Sequence, residues 1–507
     1  MPKWRAHITL AAGLTALFCG AGASMSHAQT MQGYTALREQ VADIYADLKE
    51  QVPHIRQPSE LSDATHALST AQTAPGSQVA QELPPMPDGE FELMDLRLAL
   101  VQLSFAVGSN DQITVVRAQA AEQPRVIGVQ NGTVDFAQLR EWVATRSSPE
   151  TLMTGDTLRV PIVVLQNARL RIQPDDILHL SRADGAFIAN LGSMIIDGAE
   201  ISATAAPNTG ASDFVPFVTT AGTGMVQISN SLFEGLGFGD TAAFSGVSVI
   251  NRGLYAPIGD SFMVQSVLRD IGKVTFDGTD AAIIKGNIFA GEDAGTVELR
   301  HTQNARVIAN IFADSANGSA LRITDGSTGT TLTRNVVLSS ASNGITVNHG
   351  SSNTIISDNI VWKSTGGGIS ITGSDCVYLA NNIAIDNRRK GIELRTSQSS
   401  AVVANHLLGN QSSGLFVGDQ PIGSHTTISD NIFVGNRIGL SSASAHRLTL
   451  QGNNFLNQFP RFLDGDLASQ SHKIVADLRG EQDIDLTAGG IRSFATAPVT
   501  CTYKLDS

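Results

Sequence analysis

From about residue 225 onward the apolar positions of this chain fall in short alternating runs, each introduced by glycine: Gly344-Ile-Thr-Val, Gly368-Ile-Ser-Ile, Gly391-Ile-Glu-Leu and Gly414-Leu-Phe-Val. A period of two over four residues is a strand signal, not a helix signal. Ten residues before most of these runs stands an asparagine, in the series Asn287, Asn310, Asn335, Asn359, Asn382, Asn405, Asn431 and Asn454. The steps are 23, 25, 24, 23, 23, 26 and 23 residues. A repeat of that length cannot bury its own apolar face and must stack on its neighbours. The pattern predicts an all-β, right-handed parallel β-helix with one coil per repeat. Ile345, Val347, Ile369, Ile371, Ile392, Leu394, Leu415 and Val417 should face inward. Asparagine suits the buried corner because it carries both a donor and an acceptor and tolerates turn conformations. Leucine-rich repeats share the period but require a different leucine frame and a helical return, whereas the returns here are polar and short, as in Ser339-Ser-Ala-Ser-Asn343. A β-propeller needs a longer repeat.

The remaining pattern predicts five segments. Residues 1–28 read as a signal peptide, with Lys3 and Arg5 before an apolar stretch and Ser26-His27-Ala28 before a cleavage site at Gln29. Phe18 is too large for lipid attachment at Cys19. Residues 29–90 give a helix over Gln32–Val52, with Leu37, Val41, Ile44, Tyr45 and Leu48 on one face, then a linker ending in Pro84-Pro-Met-Pro87. That helix either stands off the body or folds back over it. Residues 91–157 form an entry region, with strands over Phe91–Val107 and Ile113–Gln130 and a helix over Ala137–Thr145 that turns Leu139 and Trp142 inward. Residues 158–455 form the β-helix, regular from Met225, with an insertion loop at Phe238–Asp260. Beyond Phe455 the pattern stops, and residues 456–507 cap the last coil, including His472–Asp477.

Composition narrows the function. The 507 residues include 48 glycines, with 6% aromatic and 16% charged residues, which suits tight stacked turns. A formal charge of -13 argues against nucleic acid as a partner. An anionic polymer remains compatible where cations are concentrated locally. No segment after the signal is long and apolar enough to span a bilayer. Beyond the signal the cysteines are Cys376 and Cys501, which either pair or remain thiols. No Cys/His spacing suggests a metal site and no cofactor is indicated, though calcium remains open.

Offsets from the corner asparagine place Glu298, Arg300, His301, Arg322, Asp325 and His349 on one outer face, with Asn348 and Arg395 in the same rows. Cations beside an imidazole and a carboxylate are the groups needed to remove a proton next to a sugar carboxylate. The same residues are equally what a solvated charge ladder across strands contains. His406 and His425 read as turn or surface residues, and Arg388-Arg389-Lys390 as a solvated turn.

Leu178-His-Leu-Ser-Arg-Ala-Asp-Gly-Ala-Phe-Ile-Ala-Asn190 and Asp213-Phe-Val-Pro-Phe217 resemble segments of the periplasmic mannuronan C5-epimerase family of alginate biosynthesis, over roughly Pro161–Asn454. The resemblance implies an exported, periplasmic or secreted β-helix enzyme that inverts C5 of uronate residues within a polymer, without a redox cofactor. The family's Asp-Pro-His-Asp signature falls on Glu298-Leu-Arg-His301 and its arginine on Asp325, so the signature is not retained. On this basis the catalytic candidates are His301, Arg300, Glu298, Arg322 and His349, and the substrate-binding candidates Asp325, Arg395 and Asn348. The chemistry is C5-epimerisation or the related lyase reaction on a polyuronate or acidic exopolysaccharide, with export machinery as a further partner. The alternative is a non-catalytic β-helix that binds or guides exopolysaccharide during export; a surface adhesin is more distant.

Overall fold

The computed structural model describes residues 27–61, 83–108, 113, 115, 125–205, 214–253, 256–292, 294–488 and 501. The expected signal peptide lies almost wholly outside them, as does most of the expected linker. The described chain is a parallel β-helix of three-stranded coils and divides into two compact units. One, the N-terminal coil unit, comprises Ile55–Glu60 and Gly76–Ala305; the other, the C-terminal coil unit, comprises Met1–His54, Leu61–Pro75 and Arg306–Ser507.

In the N-terminal coil unit parallel pairing begins at Arg125–Gln130, which pairs with Ile162–Val164, well before residue 225. The segment Phe91–Val107 is not one strand. Glu90–Asp95 pairs antiparallel with Arg125–Gln130, and Leu96–Val107 is a helix. Asp95 starts it by accepting from the Arg97 amide, and Gly108 ends it at φ 68°. Leu96, Ala99, Leu100, Leu103 and Val107 recur at three- and four-residue steps and enter a core with Phe187, Phe214, Phe217 and Phe244. Helical periodicity there overrides the β-propensity of the segment. Of Ile113–Gln130, Arg125–Gln130 is strand, and residues 116–124 lie outside the described set. In the helix Phe136–Ala144, Val143 rather than Trp142 joins Leu139 inside; Trp142 is half-exposed, against Phe91 and under Arg146. The Phe238–Asp260 segment is not all loop, because Gly246–Ile250 pairs in full register between Val218–Ala221 and Lys273–Asp277.

In the C-terminal coil unit the eight expected inward residues are all buried. Asn335, Asn359, Asn382, Asn405 and Asn431 form a ladder in which each side-chain carbonyl accepts from the backbone and amide nitrogens of the preceding asparagine. Asn310 donates into it from above. At the lower end the ladder residue is Asn453, not Asn454, because the last step is one residue shorter. Asn454 instead opens a strand, Asn454–Asn457, and Arg461–Gly465 extends the stack beyond Phe455. A second ladder runs through Asn387, Asn410, Asn436 and Gln458.

One sheet of this unit is apolar on both faces. The register rows Val337-Val361-Ala384-Leu407-Phe433 and Leu338-Trp362-Ile385-Leu408-Val434 are both buried, as expected where a sheet is covered on each side. The cover is the helix His27–Gln51, which folds back onto the coils. Leu37, Val41, Ile44 and Leu48 are buried, Tyr45 meets the Trp362 ring edge-on, and the Tyr45 hydroxyl donates to Asp314 rather than serving as a purely apolar contact. Tyr34 and Arg38 engage Asp386, and Lys49 engages Asp314. Cys376 and Cys501 form a disulfide. Ile484–Ala488 adds antiparallel to His446–Gln451, and Ile474 of the short helix Ser471–Ala476 is buried beside it.

Candidate functional site

From Gly278 to Ser444 the coils turn at the end of one strand through a residue in the left-handed region. In the N-terminal coil unit this column holds Gly278 and His301 (φ 75° and 48°); in the C-terminal unit it holds Asp325, His349, Gly373, Thr396, Asp419 and Ser444. Histidine and aspartate are among the non-glycine residues that tolerate this conformation. The turn alone therefore accounts for their backbone, and function must be argued from their side chains.

His301 has such an argument. Lys273–Asp277 pairs with Thr296–Arg300, which sets Asp277 opposite Arg300 and one position from His301. His301 Nδ1 lies 2.9 Å from Asp277 Oδ1, and Arg252 Nη2 lies 3.1 Å from His301 Nε2. Arg252 Nε is also 3.4 Å from Asp277. The Asp277 side chain is 3% exposed, that of His301 39% and that of Arg252 48%. A buried carboxylate requires cationic or hydrogen-bonding partners. Here one partner is an imidazole whose edge reaches solvent. With Arg252 donating to Nε2, Nδ1 carries the proton and donates to Asp277, which fixes the tautomer.

Glu298 is not an exposed member of this face. It is 5% exposed and 3.5 Å from Lys273, in a row with Thr275, Ser248 and Thr219 that is buried throughout. Ser248 donates to the Ala243 carbonyl of the segment that covers it. Arg300 is half-buried beside the Asp277–His301 pair in register.

The remaining candidates belong to the C-terminal coil unit. His349 Nδ1 lies 3.1 Å from Thr324 Oγ1 and 3.3 Å from Asp325, with the imidazole 64% exposed. Arg322 pairs in register with Thr346, and Asn348 with Thr372, which is in turn opposite Arg395. Arg395 engages Glu393 and Asp419, while it and Lys390 flank the Phe416 ring at 4.5 and 4.0 Å. Burial pushes the Glu393 carboxyl up, but Lys390 and Arg395 more than offset this and hold it below the usual carboxylate range. Lys390 is thus part of a packed ion cluster rather than a solvated turn. His406 is a strand residue, not a turn residue. Its Nδ1 has essentially no accessible surface, and burial pushes the imidazole down to about 4.

Sequence offsets missed Asp277 and Arg252. The corner of the Asp277 coil is Ser266, not asparagine: Ser231 and Ser266 hydroxyls accept the amides of Ala199 and Ser231, and Asn287 accepts that of Ser266. Reading serine as an equivalent corner residue would have extended the coordinate system to Asp277. Arg252 lies in the irregular segment after Gly246–Ile250, where no repeat position exists to flag it.

The chain is similar to the mannuronan C5-epimerase of Pseudomonas aeruginosa (24% identity over 225 residues, 41% of this chain and 40% of the relative). It is similar to the mannuronan C5-epimerase AlgG of Azotobacter vinelandii (25% over 247 residues, 45% and 44%). It therefore spans less than half the length of the curated relatives it matches. The crystal structure of the periplasmic alginate epimerase AlgG superposes with a TM-score of 0.55 at 17% identity, covering 76% of this chain and 94% of that one. A variant of the same enzyme gives 0.59 at 18%, with the same coverage. These structures share the fold. Residues 258–464 also match a family described as periplasmic copper-binding protein (NosD). Among the described residues no three His, Cys, Asp or Glu side chains gather closely enough to hold a metal ion. No described helix is long and apolar enough to cross a membrane.

Proposed function

We propose that the protein is an exported polysaccharide-modifying β-helix that exchanges the C5 proton of uronate residues within an anionic polymer. The observation that carries this reading is the Asp277–His301–Arg252 cluster: a solvent-reaching imidazole oriented by a buried carboxylate, with a guanidinium at the other ring nitrogen. A uronate carboxylate drawing Arg252 into a two-bond fork leaves His301 Nε2 free as a base. His301 takes the C5 proton, and the electron pair moves into the carboxylate as an enediolate, whose charge the guanidinium stabilises. A proton taken from solvent and delivered to the opposite face of C5 inverts the centre, while His301 returns its proton to water; loss of the C4 substituent as an alcohol, protonated from solvent, instead gives the lyase outcome. The similarity to mannuronan C5-epimerases supports the uronate substrate class. The Cys376–Cys501 disulfide supports an oxidising compartment such as the periplasm.

The second reading, a non-catalytic β-helix that binds or guides polymer, is supported by the absence of the Asp-Pro-His-Asp signature and by Asp325 at the position of its arginine. Incubating polymannuronate with the protein in deuterated water and following C5 deuterium by NMR separates the two. Exchange that is lost in His301→Gln and Arg252→Ala, with folding unchanged, supports the enzyme. Polymer binding without exchange in the wild type establishes the binding reading, and exchange undiminished in both variants removes the site.

A further inference from the structure

We propose that the N-terminal coil unit carries a second carbohydrate site, a cleft for an uncharged glycan segment, between the helix Leu96–Val107 and the stacked turns of four coils. The cleft has a volume of about 550 Å³, within the range of ligand pockets and sufficient for a few sugar rings. Its lining is unlike that of the Asp277–His301 cluster. Gln102, Gln130, Asn131, Gln166 and Asn167 supply five carboxamides, Phe105 an aromatic face, and no charged side chain is among the described lining residues.

Two features specify the ligand. Phe105 is 83% exposed, the most exposed large apolar side chain among the described residues, at the mouth of a cleft whose floor includes the buried Leu191 and Ala221. An aromatic face beside carboxamides suits a pyranose, which offers apolar C–H faces and a rim of hydroxyls. The second feature concerns charge. Gln130 donates its amide nitrogen to Glu92 (3.0 Å), and Asn131 donates to Glu90 (2.7 Å). Those two side chains thus present carbonyl oxygens, backed by two carboxylates. That arrangement accepts hydrogen bonds from hydroxyls and repels uronate carboxylates. The site therefore selects neutral sugar, and the polymer class differs from that of the Asp277–His301 cluster, on which this inference does not depend.

The test is saturation-transfer NMR on the full chain with cellohexaose, xylohexaose and mannohexaose as neutral probes and a mannuronate hexamer as the charged one. The expected result is transfer to at least one neutral hexasaccharide in preference to the mannuronate, weakened about tenfold in affinity by Phe105→Ala and by Asn167→Ala, both at exposed positions. Circular dichroism and thermal midpoint serve as the check that both variants fold. Transfer to none of the three neutral probes, a preference for the mannuronate hexamer, or affinity unchanged in both variants would overturn the proposal. Deuterium exchange into polymannuronate should be untouched by either variant, which separates this site from the proposed catalytic one.

Discussion

The asparagine ladder allows a sharp test, because replacing Asn359 by its near-isostere should be worse than removing its side chain. Asn359 is fully buried. Its Oδ1 accepts from the Asn335 backbone (2.9 Å) and side chain (3.0 Å), while its Nδ2 faces three acceptors at 2.9 Å: the Leu332 and Ser357 carbonyls and Asn382 Oδ1. Asn359→Ala strips the Asn335 amide of its acceptor and the Leu332 carbonyl of this donor. At about 1–3 kcal/mol for each buried group left unmet, the loss is roughly 2–6 kcal/mol. Asn359→Asp keeps the first set of bonds but turns an oxygen toward three other oxygens, and relief comes only from protonation. The folded pKa of the new carboxyl then lies above its unfolded value. Its native state binds the extra proton, so stability falls as pH rises from the unfolded carboxylate range toward the folded value. Urea unfolding followed by circular dichroism should rank Asn359→Asp below Asn359→Ala at neutral pH, with the gap closing at acidic pH. The exposed Gln411→Ala in the same unit, at a position outside the left-handed region, should stay within about 0.5 kcal/mol. Asn359→Ala at wild-type stability, or Asn359→Asp tolerated at neutral pH, would refute the ladder as a source of stability.

Two further perturbations follow from the same reasoning. His406 is held down to about 4 by burial, so the unfolded chain binds the extra proton. Stability is complete above the unfolded imidazole value and is lost as pH falls toward 4, by at most about 3 kcal/mol. His406→Gln should flatten that acid limb in a pH series of unfolding midpoints, and an unchanged limb would mean the imidazole is not the group responsible. The Cys376–Cys501 bridge spans 125 residues, so Cys501→Ser should cost up to about 5 kcal/mol on the loop-entropy model; a midpoint shift under about 1 kcal/mol would count against that account.

The repeat was legible because stacking imposes the same backbone at the same position in each coil, and backbone demands select residue types. Asn335 through Asn431 announce the corner for that reason. The second ladder carried an equal signal, five residues after each of Asn382, Asn405, Asn431 and Asn453, but it covers only four coils and ends in Gln458, where glutamine extends the reach. The N-terminal coils were harder to read because Ser231 and Ser266 perform the corner role with a single hydroxyl, and serine is too common in turns to stand out. Leu96–Val107 was misread for a different reason. Its residues suit strand or helix, and the deciding contacts with Phe187 and Phe214 are far away in sequence.

The candidate residues were half legible, and the difference between two histidines, one in each unit, shows why. The left-handed corner dictates backbone and leaves the side chain free, so His301 and His349 look equivalent in the repeat. Their partners are not equivalent. Asp277 is 3% exposed and must be neutralised by what surrounds it, whereas the Asp325 side chain is 28% exposed and water screens its pairing with an imidazole that is itself 64% exposed. A buried partner fixes tautomer and orientation; a screened one constrains neither. His301 is accordingly the proton-transfer group in our reading, and His349 is not required. Under the conditions that abolish exchange in His301→Gln, His349→Ala should retain C5 deuterium incorporation within about twofold, a change of roughly 0.4 kcal/mol in the barrier. Loss of exchange in His349→Ala, with His301→Gln still active, would invert the assignment and show that exposure rather than burial of the carboxylate marks the working histidine.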